Sequence, residues 1–155
     1  MENLERILRE QPVFAGLDDA HIALICGCTK NVRFTAGEYL FKEGDPADMF
    51  YLLREGQVAL EVHAPGHGTM QLLTVQAGEL VGLSWLVPPY RCALDARVQV
   101  PVRALAIHGK CLRDKCEADA QLGYQLMKRF MPVLVERLHA TRMQSLDVYG
   151  RSAAR

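Results

Sequence analysis

"FTAGEYLFKEGDPADMFYLLREGQV", residues 34–58, decides the fold of this 155-residue chain. Its apolar residues come in short runs, Tyr39–Phe41 and Met49–Leu53, too closely punctuated for helices. Gly37, Gly44-Asp45 and Glu55-Gly56 separate the runs, where a turn needs positive φ without steric cost. The same texture extends from residue 31 to about residue 107, and "REGQ" and "APGHG" both read as hairpin loops. Many short strands with frequent turns predict a mainly β domain, a sandwich, roll or barrel.

On either side the period changes to that of helices. Leu4, Ile7 and Leu8 predict a short helix over residues 3–9 that Pro12 ends. Asp18 reads as the N-cap of a second helix carrying Ile22, Leu24 and Ile25. From Gly109 the chain reads as helix again, with a break at Ala118–Asp119 where Asp119 caps the next helix. That last helix carries a stripe of Leu122, Leu126, Phe130, Leu134 and Leu138, widened by Met127, Met131 and Val135. Pro132 removes a backbone donor inside it and predicts a kink. A stripe this wide predicts a helix that packs on its own β domain and offers the remainder to a second copy, giving a homodimer. The expected organisation is a helical segment over 1–28, the β domain over 29–107, helices over 108–150 and a frayed tail over 151–155.

Composition bounds the function. Eighteen basic and eighteen acidic side chains cancel, which argues against a broad nucleic-acid-binding face. The start, MENLERILRE, lacks the apolar core of a secretion signal, and no apolar run is long enough to span a membrane. Five cysteines in such a chain predict a cytoplasmic protein with reduced thiols. A metal or iron–sulfur site built from Cys26, Cys28, Cys111 and Cys116 is the weaker alternative. His63 and His67 flank a turn tip and find no partners for a cupin-like metal centre, and no nucleophile-plus-base constellation can be assembled. The expectation is a protein that is not an enzyme and carries neither metal nor cofactor.

The order of elements and particular residues resemble the cyclic-nucleotide-binding domain family, which includes catabolite-activator-type regulators, protein kinase A regulatory subunits and nucleotide-gated channels. "PVFAGLDD", with Phe14, Gly16 and Leu17, is similar to the family's opening segment. Residues 34–58, with Gly37, Gly44, Asp45, Phe50, Tyr51 and Gly56, match its most recognisable stretch. The resemblance implies a jelly-roll-like β roll with short N-terminal helices and a long C-terminal helix, and a site in "GELVGLSWLVPPYRCA", residues 78–93. Gly78, Glu79, Leu80, Val81 and Gly82 match the turn that opens the family's short helix, and Arg91, Cys92 and Ala93 match the close. By that resemblance Glu79 takes the ribose hydroxyl and Arg91 the cyclic phosphate of cyclic AMP or cyclic GMP. Backbone N–H groups at the helix start would assist Arg91.

Three features depart from the family pattern. Cys92 replaces a hydroxyl residue, and a thiol is a weak donor. Pro88-Pro89 should stop the helix by about Val87, leaving Trp85 and Tyr90 to fill the pocket or cover a purine. The chain's own alternation puts Leu94, Ala96, Val98 and Val100 on one face, one residue out of step with the family. Either a bulge restores the register after Arg91, or Arg91 does not face a phosphate. The resemblance is to stand-alone bacterial-type members without a helix-turn-helix, so direct nucleic-acid binding is not expected. A sensor that signals to a protein partner through its last helix and a degenerate dimerisation module with an aromatic-plugged pocket are the two readings left.

Overall fold

The structure, a computed structural model, describes the backbone of residues 3–153 and side chains of residues 3–143. Three short helical pieces lead in: α1 (Leu4–Glu10), a 3₁₀ turn (Pro12–Phe14) and α2 (Asp19–Cys26). Asp18 caps α2 as its sequence position predicts, its Oδ1 accepting from the His21 amide at 2.8 Å.

Six strands follow: β1 (Thr29–Phe34), β2 (Tyr39–Phe41), β3 (Met49–Ala64), β4 (Gly68–Val75), β5 (Leu80–Val81) and β6 (Asp95–His108). All pairings are antiparallel, in the order β1-β6-β3-β4, with β2 added to β6 and β5 to β3. The helices α3 (Gly109–Ala118) and α4 (Ala120–Ala153) complete the chain. The break between them falls where expected, with Asp119 Oδ1 accepting from the Leu122 amide at 3.1 Å. α4 runs through Pro132. The fold is therefore the predicted β roll with short N-terminal helices and a long C-terminal helix.

Two apolar cores lie on the two faces of the central strands. Tyr51, Leu53, Ala104 and Ala106 belong to the roll interior, with Val58, Leu60, Ala96 and Val98. The alternate residues Phe50, Leu52, Leu105 and Ile107 face the helices and meet Ile22, Ile25, Leu112, Leu122 and Phe130. A strand buried on both faces reads as an unbroken apolar run, which is what residues 49–53 show.

The structure corrects four expectations. "REGQ" is not a hairpin loop, because β3 runs straight through it with register shifts between Leu53 and Val58. Gly56 is the enabling residue: its φ is +92°, and a Cβ there would stand 2.2 Å from the Pro101 carbonyl oxygen. "APGHG" is the hairpin tip, closed by Ala64 opposite Gly68. Val100, expected inside, is exposed where those shifts displace β6 against β3. Cys28 and Cys111 form a disulfide, so that pair is not a pair of reduced thiols, while Cys26, Cys92 and Cys116 are free. The expected frayed tail over 151–155 is helical as far as Ala153, and Ala154 and Arg155 lie outside the described residues. Among the described residues no helix is long and apolar enough to cross a membrane.

Candidate ligand site

The Gly78–Gly82 segment leaves β4 by a tight turn. Gly78 has φ +89° and donates to the Leu53 carbonyl at 2.7 Å, and Glu79 accepts from the Leu53 amide through its backbone oxygen at 3.1 Å. These bonds seat β5 on β3, Val81 opposite Tyr51 and Leu80 opposite Leu52. The side chains of Leu80 and Val81 are buried in opposite cores, Leu80 under the helices and Val81 inside the roll. Gly82, φ +94°, lets the chain pass the Phe41 ring, which would lie 3.3 Å from a Cβ.

Only one 3₁₀ turn, Ser84–Leu86, follows, and Val87–Pro89 are exposed. The helix expected to stop by Val87 is therefore a single turn. It supplies little of the aligned peptide dipole that a longer helix would present to a phosphate.

The two aromatics turn away from the pocket they were expected to fill. Trp85 is 1% exposed and stacks flat on Phe50, 4.6 Å between centroids, with Phe130 edge-on at 6.0 Å. It completes the core beneath the helices. Tyr90, at φ +58°, lays its ring under the Arg113 guanidinium at 3.9 Å, and Arg113 donates to the Trp85 carbonyl. Arg113 thus braces the whole loop from α3.

Arg91 sits on an isolated bridge with Pro46, before β6 begins, and donates to the Gly44 carbonyl at 3.1 Å. The register question has a definite outcome: Ala96 and Val98 are buried in the roll, following the chain's own alternation. Asp95 caps the Glu43 amide at 2.8 Å, and Arg97 forks onto the buried Glu61 carboxylate at 3.0 and 3.1 Å. Cys92 is buried and held in the backbone by the Asp45 carbonyl; burial first, then Asp45 and Asp48, push its thiol up to about 11. It stays protonated at neutral pH. Ala93 is exposed.

Three adjoining hollows lie where α4 crosses this segment. One, of about 480 Å³, is lined by Gly78, Glu79, Leu80, Arg129 and Arg137 among others. The next, about 250 Å³, is walled by Gly82, Ser84 and Ala93 on one side and Leu134, Arg137 and Leu138 of α4 on the other. The third, about 360 Å³, lies between Pro88-Pro89, Arg91 and the Met127–Leu134 face of α4. Glu79 and Arg91 thus line different hollows. The Glu79 carboxylate accepts from the Gln76 amide at 2.9 Å.

The residue that sequence reasoning missed is Arg137, which borders both the Glu79 hollow and the central one. Its guanidinium donates to the Leu80 carbonyl, and burial holds it below its usual range while Glu79 and Glu136 act in the opposite sense. Its spacing from Leu134, three residues along the helix, places it on the stripe facing the roll and was the available signal. Among the described residues no three His, Cys, Asp or Glu lie close enough together to hold a metal ion.

Residues 31–119 match the model of the cyclic nucleotide-binding domain, and the chain belongs to that family. Over 146 residues it is 27% identical to a CRP-like cAMP-activated global transcriptional regulator of Mycobacterium tuberculosis, covering 94% of this chain and 63% of the relative. Over 87 residues it is 32% identical to cyclic nucleotide-gated ion channel 18 of Arabidopsis thaliana, 54% of this chain and 12% of the channel. The chain therefore spans less than two thirds of these relatives. Among solved structures, the N-terminal domain of a transcriptional regulator from Streptomyces coelicolor A3(2) is 30% identical, with TM-score 0.66, covering 86% of this chain and 94% of that one. The regulatory domain of Toxoplasma gondii PKA with cAMP shares the fold at 20% identity and TM-score 0.62, over 72% and 42% of the two chains.

Proposed function

We propose that this chain is a ligand-sensing module whose three adjoining hollows under α4 together take a cyclic nucleotide, with Glu79 at one end and Arg91 at the other, and that it acts by binding and not by catalysis. The observation that carries the reading is that one hollow is walled both by the Gly82–Ser84 turn and by Leu134, Arg137 and Leu138 of α4. An occupant there touches the turn and the exit helix together, so occupancy and helix position are linked. In this reading Arg91 exchanges a neutral carbonyl for a phosphate, a stronger charge-assisted bond. Glu79 exchanges the Gln76 amide for a ribose hydroxyl. The ligand also competes with the bond from Arg137 to Leu80, loosening α4. The exposed face of α4, with Met127, Met131 and Val135, receives a second copy, and the signal passes to a protein partner through the same helix.

The name of the Mycobacterium tuberculosis relative makes cyclic AMP the first ligand to test, with cyclic GMP beside it. Titration calorimetry should show heat with one of the two and an affinity at least about tenfold weaker in Arg91→Ala, the usual scale for one charged hydrogen bond. No heat with either nucleotide overturns the sensor reading. Unchanged affinity in the variant overturns the role of Arg91 alone. A second reading is favoured by one observation: Glu79 and Arg91 line separate hollows and are each satisfied by backbone. A docking module that has lost its nucleotide would show no heat and still self-associate.

A further inference from the structure

The exposed segment Val87–Pro89 walls the third hollow, the one that Arg91 borders. An exposed wall has little packing of its own to hold it in place. Both of its ends meet one side chain. Arg113 of α3 donates to the Trp85 carbonyl on one side of the segment, and its guanidinium lies 3.9 Å from the centre of the Tyr90 ring on the other. A planar guanidinium makes both contacts at once, a bond in its plane and a stack on its face. Tyr90 stands in the left-handed region at φ +58°, which a bulky residue keeps only where its surroundings hold it. Its amide donates to the Val87 carbonyl at 2.9 Å and closes the segment into a turn. The next residue is Arg91, so whatever holds Tyr90 also sets where the Arg91 side chain starts.

The anchor of this clamp is itself fixed. α3 begins against the same loop, since a Cβ on Gly109 would stand 2.7 Å from that of Trp85. Two residues before Arg113, Cys111 is bridged to Cys28; two residues after it, Lys115 donates to the Leu24 carbonyl at 2.8 Å. Arg113 lines none of the three hollows under α4. We propose that Arg113 is a positioning residue for the ligand site: without touching the nucleotide it holds the Val87–Tyr90 turn, and so aims Arg91 at the phosphate. The proposal rests on the reading that these hollows take a cyclic nucleotide.

The test is a double-mutant cycle in titration calorimetry with cyclic AMP and cyclic GMP. Wild type, Arg113→Met, Arg91→Ala and the double variant are compared, with the urea midpoint of each measured alongside. Arg113→Met keeps an apolar stem and loses both contacts, and should bind about fivefold more weakly. In the Arg91→Ala background the same change should cost no more than about twofold, because a residue that acts through Arg91 then has nothing to aim. Arg113→Lys, a point charge that cannot make both contacts together, should fall between wild type and Arg113→Met. Tyr90→Asn, which suits the left-handed backbone but offers no ring, should weaken binding as Arg113→Met does. These two variants carry the same comparison if Arg113→Met does not fold. Equal losses with and without Arg91 overturn the proposal and leave Arg113 a structural brace. Wild-type affinity in Arg113→Met overturns it as well. Both outcomes require that wild type binds, so neither can be mistaken for failure of the cyclic-nucleotide reading, which is no heat from wild type and removes the proposal with it.

Discussion

At the scale of single residues, Gly56 is a position that the fold requires to be glycine. Its positive φ and its 2.2 Å clearance to the Pro101 carbonyl leave no space for a methyl group. Gly56→Ala should lower stability by roughly 3 kcal/mol, read as an earlier midpoint in urea unfolding, since conformation and contact both oppose it. Trp85 gives a graded test. Trp85→Ala opens a cavity beneath Phe50 and Phe130 and should cost about 3–5 kcal/mol. Trp85→Phe should cost clearly less, because it also removes an indole N–H that is buried without a hydrogen-bond partner. Cys92 adds a pH dependence. Its folded value, about 11, lies above that of an unfolded thiol, so the folded state holds its proton more firmly. Stability present below about pH 9 is therefore lost as pH rises toward 11. The alkaline limb of an unfolding-midpoint profile should be shallower in Cys92→Ala, and Cys92 should label with a thiol reagent far more slowly than Cys26 or Cys116, which are less buried.

Elements show which signals the chain carries locally. Asp18 and Asp119 were legible as caps because a cap needs only its own first turn. "REGQ" was misread because what keeps β3 continuous, the close approach of Pro101 to Gly56, comes from a strand some forty-five positions further on in the sequence. The site divided in the same way. Gly78, Glu79, Arg91 and Ala93 could be placed by motif, but the Arg91 side chain is held by the Gly44 carbonyl and the Leu80 carbonyl by Arg137, partners far along the chain that no local pattern specifies. Trp85 looked like a pocket residue because its neighbours are; its stacking on Phe50 is a tertiary choice. The Cys28–Cys111 bridge joins residues 83 apart and clamps the foot of β1 to α3. The untreated protein should titrate three free thiols and the reduced, unfolded protein five. Cys111→Ser should lower stability by about 2–4 kcal/mol, the usual contribution of a long closed loop.

For the whole molecule, α4 is the element with one buried and one exposed apolar face. Leu122, Leu126 and Phe130 are buried against the domain, whereas Met131, Leu134, Val135 and Leu138 are about half exposed. Leu134 and Leu138 also wall the central hollow, so changing them confounds ligand binding with self-association. Val135 lines none of the three hollows under α4 and separates the two. Val135→Glu should shift the species seen by light scattering from dimer to monomer while nucleotide affinity stays as it was. A wild-type protein that scatters as a monomer removes the dimer from the proposal.

The helical layer grips the rest of the molecule in an unusual currency. Arg113 holds the carbonyl of Trp85, Lys115 that of Leu24, Arg129 those of Val13 and Ala15, and Arg137 that of Leu80. Each cation closes on main chain, not on a carboxylate. Main-chain oxygens do not change when a side chain mutates, so a substitution at Val13, Ala15 or Leu24 leaves the acceptor of the bond in place. Nor can acidification discharge these attachments, because a peptide carbonyl has no proton to gain in the range where carboxylates titrate.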